Sequence, residues 1–307
     1  MTALNDGRAT SRNATNAAGS RGRGGLVFLL ITSVGWGLNW PVMKHLLTEW
    51  PPLSARGLSG VVGGALLLII AMVGGQSLRV PRDQWGRLLL SSLLNISSWM
   101  TLMGLALLWL PASEGAVIAY TMPVWASVLA WPILGERLTL LRVISLLLAF
   151  GGPLALMGGN GVAASMEKLP GIILAMAGAF LFALGTVVAK RLPVRLPAIT
   201  SAAWQITVGC LPLVAAGLLL EDPQISALSA VGWASLVYMT LIVFCLSYVT
   251  WFAALARLPA SVAAIGTLLV PVIGVVASAV FLHEPLGAGQ ITALVMTVAG
   301  VVLATRS

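Results

Sequence analysis

Leu110-Pro-Ala-Ser113, Pro123-Val124, Leu134, Glu136 and Leu138 recur as Leu258-Pro-Ala-Ser261, Pro271-Val272, Leu282, Glu284 and Leu286, always 148 residues later. Across 110–138 the two copies share 11 identities in 29 positions. Unrelated apolar helices match in Leu, Val and Ala; they do not keep Pro, Ser and Glu in register, so the chain carries a duplication. A weaker echo at a spacing of 146 joins Leu38, Lys44 and Leu46 to Leu184, Lys190 and Leu192.

The material that is duplicated is membrane material. Of 307 residues 59% are apolar and 8% charged, with a mean hydropathy of +0.99, whereas soluble domains run near 45–50% apolar and about 25% charged. Cutting the chain at Pro, Gly and charge clusters yields ten segments near 26–47, 54–75, 85–109, 112–133, 139–158, 170–190, 199–220, 230–254, 260–282 and 287–304, each close to the ~20 residues that cross the hydrocarbon layer. Residues 1–25, rich in Ser, Asn, Gly, Ala and Arg, are expected to form a disordered cytoplasmic tail. The first apolar run ends in Trp40, Pro41 and Lys44 and lacks a small-residue cleavage site, so it reads as a retained helix. Asn13-Ala-Thr15 lies in the tail and Asn95-Ile-Ser97 within a span, so neither triplet reads as a glycosylation site.

Basic residues fix the orientation. With ten spans and the N-terminus inside, fourteen Lys and Arg fall on the cytoplasmic side, and only Lys44, Arg56 and Lys168 fall outside, the bias left by membrane insertion. A wrong helix count would scramble this alternation. The predicted architecture is therefore all-α and polytopic: a five-helix unit over 26–158 and a second over 159–307. An odd number of helices per unit makes the two halves inverted relative to each other, a recurrent plan in secondary transporters with a midplane site. The net charge of +8 is scattered over short connections, which excludes a folded nucleic-acid surface. Cys210 and Cys245 sit in apolar runs and read as buried small hydrophobes.

Together, Gly35-Trp-Gly-Leu-Asn39, the doubled Pro-Ala-Ser...Pro-Val...Glu signature and the five-plus-five spans resemble the drug/metabolite transporter superfamily, in particular its EamA-type exporters. The resemblance covers about residues 26–304 and is strongest to bacterial exporters of amino acids, including aromatic ones. It implies an inner-membrane exporter with a central cavity and both termini cytoplasmic. The small four-helix multidrug members carry a Glu in their first helix; here no carboxylate lies between Leu26 and Leu47.

Polar and aromatic residues at depth are costly unless they face protein or a water-filled cavity. Trp36, Asn39 and Trp40 share one face of the first helix, with Pro41 freeing the Gly37 carbonyl. Asn95, Ser98, Trp99 and Thr101 form the densest polar cluster in any span. Tyr120 lies beside mid-span Pro123; Thr267 precedes Pro271 by four residues, which leaves its carbonyl unpaired; Ser247, Tyr248 and Trp251 complete the set. The predicted substrate-lining residues are Trp36, Asn39, Trp40, Asn95, Ser98, Trp99, Tyr120, Tyr248 and Thr267, with Pro123 and Pro271 as hinges of two moving helices. For each, plain helix packing is the competing reading. Trp50, Trp85, Trp109 and Trp233 near span ends read as interfacial anchors. Glu136 and Glu284 are expected to cap or pair structurally, Gly60, Gly63 and Gly64 to form a close-packing face, and His45 and His283 to be solvated or packed.

The spans offer no pathway acid other than Glu114 near a helix end, and no deep cation for a carboxylate. The expectation is a facilitated uniporter with broad specificity for neutral zwitterions. A carrier of another metabolite or drug such as a nucleoside, sugar or cationic drug, proton-coupled or not, is the main alternative. A membrane enzyme lacks a catalytic set, a channel lacks a filter, and no phosphate-binding Gly-x-x-x-x-Gly-Lys-Ser/Thr loop occurs. No cofactor or metal is expected; the partners are a small-molecule substrate and the lipid bilayer. The sequence sets no oligomeric state.

Overall fold

The computed structural model describes residues 3–136, 139–158, 161–258, 262–263 and 266–305, and their side chains except at 3–22, 142, 149–150, 153, 156–158, 161–165 and 304–305. All regular structure among them is helical. The first half holds α1 (Ala3–Leu46), α2 (Pro52–Val73), α3 (Trp85–Ser91), a π-helical segment (Ser92–Ser97), α4 (Ser98–Ala106), α5 (Ala112–Ala119), α6 (Met122–Leu134) and α7 (Leu140–Gly158). The second holds α8 (Gly161–Arg191), α9 (Ala198–Leu220), α10 (Ala230–Tyr238), a second π-helical segment (Met239–Leu246), α11 (Ser247–Leu255), α12 (Leu269–Leu282) and α13 (Ala288–Thr305). The helix reaches back to Ala3, where the sequence leads one to expect a tail; the side chains of 1–22 lie outside the described residues. So does Pro259-Ala-Ser261 of the second signature.

Seven stretches are long and apolar enough to cross a membrane: Arg23–Leu46, Pro52–Val73, Arg82–Ala106, Ala112–Leu134, Met166–Arg191, Ala198–Leu220 and Ala230–Leu255. Two shorter apolar helices cover Leu269–Leu282 and Ala288–Leu303. The outer surface is rich in large apolar side chains such as Val73, Leu219 and Phe281, while Ser, Thr and Arg56 are buried, the inverse of a water-soluble protein. The chain is a multi-pass membrane protein.

Helix pairing repeats between the halves. The packing of α1 on α12 is mirrored by α8 on α6, and that of α1 on α11 by α8 on α4; α2 packs on its own counterpart α9, and α7 on α13. The α2–α9 contact depends on small residues. A methyl group added at Gly60 would overlap the Cys210 sulfur and one at Gly64 would meet Thr207, while one at Gly63 would meet Phe244 of the second π segment. These glycines form the close-packing face that the sequence leads one to expect.

The duplication extends to irregularities. The two π-helical segments start 147 residues apart, at Ser92 and Met239. The span Ala112–Leu134 is broken at Tyr120–Thr121, and its counterpart turns at Thr267–Leu268, 147 residues later. The cause in both copies is proline without an amide at 123 or 271, which removes a donor from the residue four earlier. The break falls two to three residues before Pro123 and three to four before Pro271, so both prolines sit in the first turn of the following helix rather than at a mid-helix bend. The Thr267 carbonyl, expected unpaired, accepts from the Val270 amide at 3.0 Å.

One site departs from the symmetry. Gly135 ends α6 with φ 73° and its counterpart His283 ends α12 with φ 55°. A left-handed non-Gly residue costs about 1–2 kcal/mol, and glycine gives back about 0.5–1 kcal/mol as chain entropy. His283→Gly is therefore expected to stabilise the fold by ~0.5–1 kcal/mol, read as a higher melting temperature in detergent with the transport rate unchanged.

Candidate functional site

A cavity of about 670 Å³ lies between the halves, within the size range of small-molecule sites. Its aromatic wall is built by α1, α4, α8 and the second π segment with α11. Trp36 packs edge-on to Tyr248 at 5.5 Å between centroids and tilted against Trp251 at 5.9 Å; Trp99 lies tilted against Phe182 at 5.1 Å. The Trp36 indole donates to the Val243 carbonyl at 3.4 Å, inside the π segment, where the widened turn leaves carbonyls for outside donors. This bond fixes the ring against which Tyr248 and Trp251 pack.

Of the expected lining residues, Trp36, Asn39, Trp40, Trp99, Tyr120, Tyr248 and Thr267 line this cavity, as does Pro123. Asn95, Ser98 and Pro271 do not. Ser98 turns back to the Leu93 carbonyl at 2.9 Å, five residues earlier, within the first π segment. Asn95 abuts Gly185 of α8, where a methyl group would collide with its amide. Both polar side chains therefore belong to the helix distortion and its packing.

The larger correction concerns charge. Arg56, assigned from the sequence to an external end, sits one turn inside α2, is 4% exposed and lines the cavity. Its Nη1 donates to the Met100 sulfur at 3.3 Å and its Nε has no partner. The spans thus do contain a deep cation. Phe182 and Phe244 also line the cavity without having been singled out in the sequence, as does Lys190, which the sequence marks only as the repeat partner of Lys44. The Asn39 side-chain oxygen is buried without a hydrogen bond. No Asp or Glu is among the lining residues, and Glu114, 1% exposed, is paired with Lys168 at 2.7 Å.

The two ends differ. At the end where α1 meets α2, Lys44 donates to the carbonyls of Leu107 and, at 2.9 Å, Leu110. Glu284 takes the amides of Ala112 and Ser113 at 2.7 and 2.9 Å and the Ser113 hydroxyl. Glu221 does the same for Leu53 and Ser54, and Glu49 bonds Ser229. Each carboxylate meets a helix N-terminus, where orphan amides and the helix dipole favour an anion. Glu284 thus has the structural role expected of it. The Ser229 backbone and side-chain bonds hold the Glu49 carboxyl below its ordinary range. At the opposite end, Lys190 and Thr186 line the cavity and are exposed, and Lys190 makes no hydrogen bond or ion pair among the described residues. The cavity is sealed at the Lys44 end and opens at the Lys190 end.

The model of the EamA-like transporter family matches residues 23–158 and again 169–306. The chain is 34% identical to the uncharacterized transporter YvbV of Bacillus subtilis, over 91% of this chain and 89% of that one. It is 29% identical to a probable amino-acid metabolite efflux pump of Salmonella typhimurium, over 90% of this chain and 92% of the pump. A crystal structure shares the fold with a TM-score of 0.64 at 23% identity, over 91% of this chain and 96% of the other.

Proposed function

Because the chain belongs to the EamA-like transporter family, with one copy of the family unit in each half, we propose that it exports amino acids, aromatic and other neutral ones, across a bacterial inner membrane by alternating access. Ten spans form two inverted five-helix halves, and both termini are cytoplasmic. The observation that carries this reading is the fate of two residues paired by the repeat. Lys44 seals one end of the cavity, and its counterpart Lys190 stands unengaged at the open end. In a machine of inverted halves the second state exchanges these roles. The excess of Lys and Arg on the Lys190 side makes that side cytoplasmic, so the described state loads from the cell interior.

The walls suit such a cargo. Indole and phenyl faces take an apolar side chain, and Asn39 provides a polar handle. With no acid lining the cavity and Glu114 committed to Lys168, transport proceeds down the substrate gradient as uniport. An efflux-pump name on a 29%-identical relative agrees with the direction. The test is uptake of labelled Phe, Trp, Met, Thr, Glu and Lys into proteoliposomes without an ion gradient, with Trp99→Ala alongside. Uptake of the neutral members is expected. Losing the Trp99 stack, worth about 1.5 kcal/mol, lowers it ~10-fold. Uptake that requires an imposed proton gradient would reject uniport, and no uptake of any amino acid would reject the substrate class.

A further inference from the structure

We infer that Arg56 is the anchor for a substrate carboxylate and that the cavity selects carboxylates with an apolar body against amines lacking one; this deepens the amino-acid reading and rests on it. A buried guanidinium without a counter-ion is expensive, several kcal/mol even after relaxation, and proteins pair such groups. Arg56 is 4% exposed, its Nε has no partner, and its one hydrogen bond goes to a thioether, a weak acceptor. Glu221, whose carboxylate reaches α2 within one turn of Arg56, is committed to Leu53 and Ser54. No carboxylate pairs with Arg56 among the described residues. The missing anion is supplied by what enters the cavity.

The fold does not require the cation. Under the 146- to 148-residue register Arg56 maps onto Ala202, Ala203 or Trp204 of α9, which makes the same helix contact without a charge. Nor is the charge offset elsewhere in the cavity, since its lining holds Arg56 and Lys190 and no acid. A carboxylate passes Lys190 at the mouth and reaches Arg56 at the sealed end, whose planar fork matches it in a bidentate pair. The apolar body then lies along Trp36, Trp99 and Tyr248. An amine without a carboxylate meets two cations and no counter-ion.

Three probes with the same phenylethyl body separate the groups: 3-phenylpropionate has the carboxylate alone, phenylalanine both groups, and 2-phenylethylamine the amine alone. Binding to purified protein and entry into proteoliposomes are measured for the parent, Arg56→Gln and Arg56→Lys. In the parent the two carboxylates are expected to bind and the amine to bind at least ~30-fold more weakly. Arg56→Gln lowers carboxylate affinity ~30- to 100-fold and leaves the amine unweakened, as expected for loss of a buried charge pair; Arg56→Lys, which keeps the charge but not the fork, recovers part. Should Arg56→Gln fail to fold, the parent's ranking and the Arg56→Lys loss still decide. Equal carboxylate affinity in a folded Arg56→Gln, or a parent that prefers the amine, overturns the inference. Arg56-dependent capture of 3-phenylpropionate without phenylalanine transport upholds the carboxylate anchor and rejects the amino-acid reading. Phenylalanine transport indifferent to Arg56 does the reverse.

Discussion

Oxidising an Ala116→Cys, Gly274→Cys double variant stops substrate uptake, by on the order of a hundredfold, and reduction restores it. A Cβ at Gly274 of α12 would stand 3.3 Å from that of Ala116 in α5, slightly inside the roughly 3.5–4.5 Å that disulfides span, so a small outward shift accommodates the bond. The bond would join the two interrupted helices on the side sealed by Glu284, and alternating access requires that side to open. The native Cys210 and Cys245 are buried like the introduced pair, so the oxidised parent is the control for their reaction. A side chain at 274 also crowds the Trp40 ring, so the reduced double variant is the reference for activity. Undiminished turnover in the oxidised, folded protein would show that α5 and α12 do not part during the cycle. The hinge role of Pro123 and Pro271 would then fall with it.

Lys44→Met shifts the resting population toward the state open at the other end, by about 10- to 100-fold. The ammonium satisfies the carbonyls of Leu107 and Leu110, and charged hydrogen bonds of this kind contribute ~1.5–3 kcal/mol, each 1.4 kcal/mol being tenfold in an equilibrium. The 148-residue register maps those two carbonyls onto Leu255 and Leu258, the acceptors that Lys190 would reach in the alternate state. Lys190→Met therefore acts with the opposite sign, holding the protein in the described state, and the double variant returns toward the parent balance. Spin labels introduced at the exposed Leu108 and Leu286 report the change as a longer inter-label distance in Lys44→Met. Identical distance distributions in the parent and both single variants would refute the latch.

Much of this protein is written locally. Composition and segment length announce a membrane chain, because crossing hydrocarbon demands runs of apolar residues whatever the tertiary fold. The duplication shows in Pro, Ser and Glu because those residues mark helix ends and breaks, which the folding of each half requires separately. The aromatic wall was legible too: Trp36, Asn39 and Trp40 share a face of an unbroken helix, where the 3.6-residue period holds. In the π segment the period fails. Asn95 packs on Gly185 and Trp99 on Phe182 of the same helix α8, yet only Trp99 reaches the cavity.

Arg56 marks the other limit. Two residues decide whether a charge near a span boundary is solvated or buried, and α2 begins at Pro52 rather than at residue 54. What the sequence by itself determined is the helical membrane architecture, its repeat and most of the aromatic residues that line the cavity. Only the tertiary structure decided which end is sealed and that a lone guanidinium stands in the cavity. Those features depend on residues from opposite halves meeting, such as Glu284 with Ala112 and Ser113, and a pairing across 171 or 172 positions leaves no periodic trace along the chain.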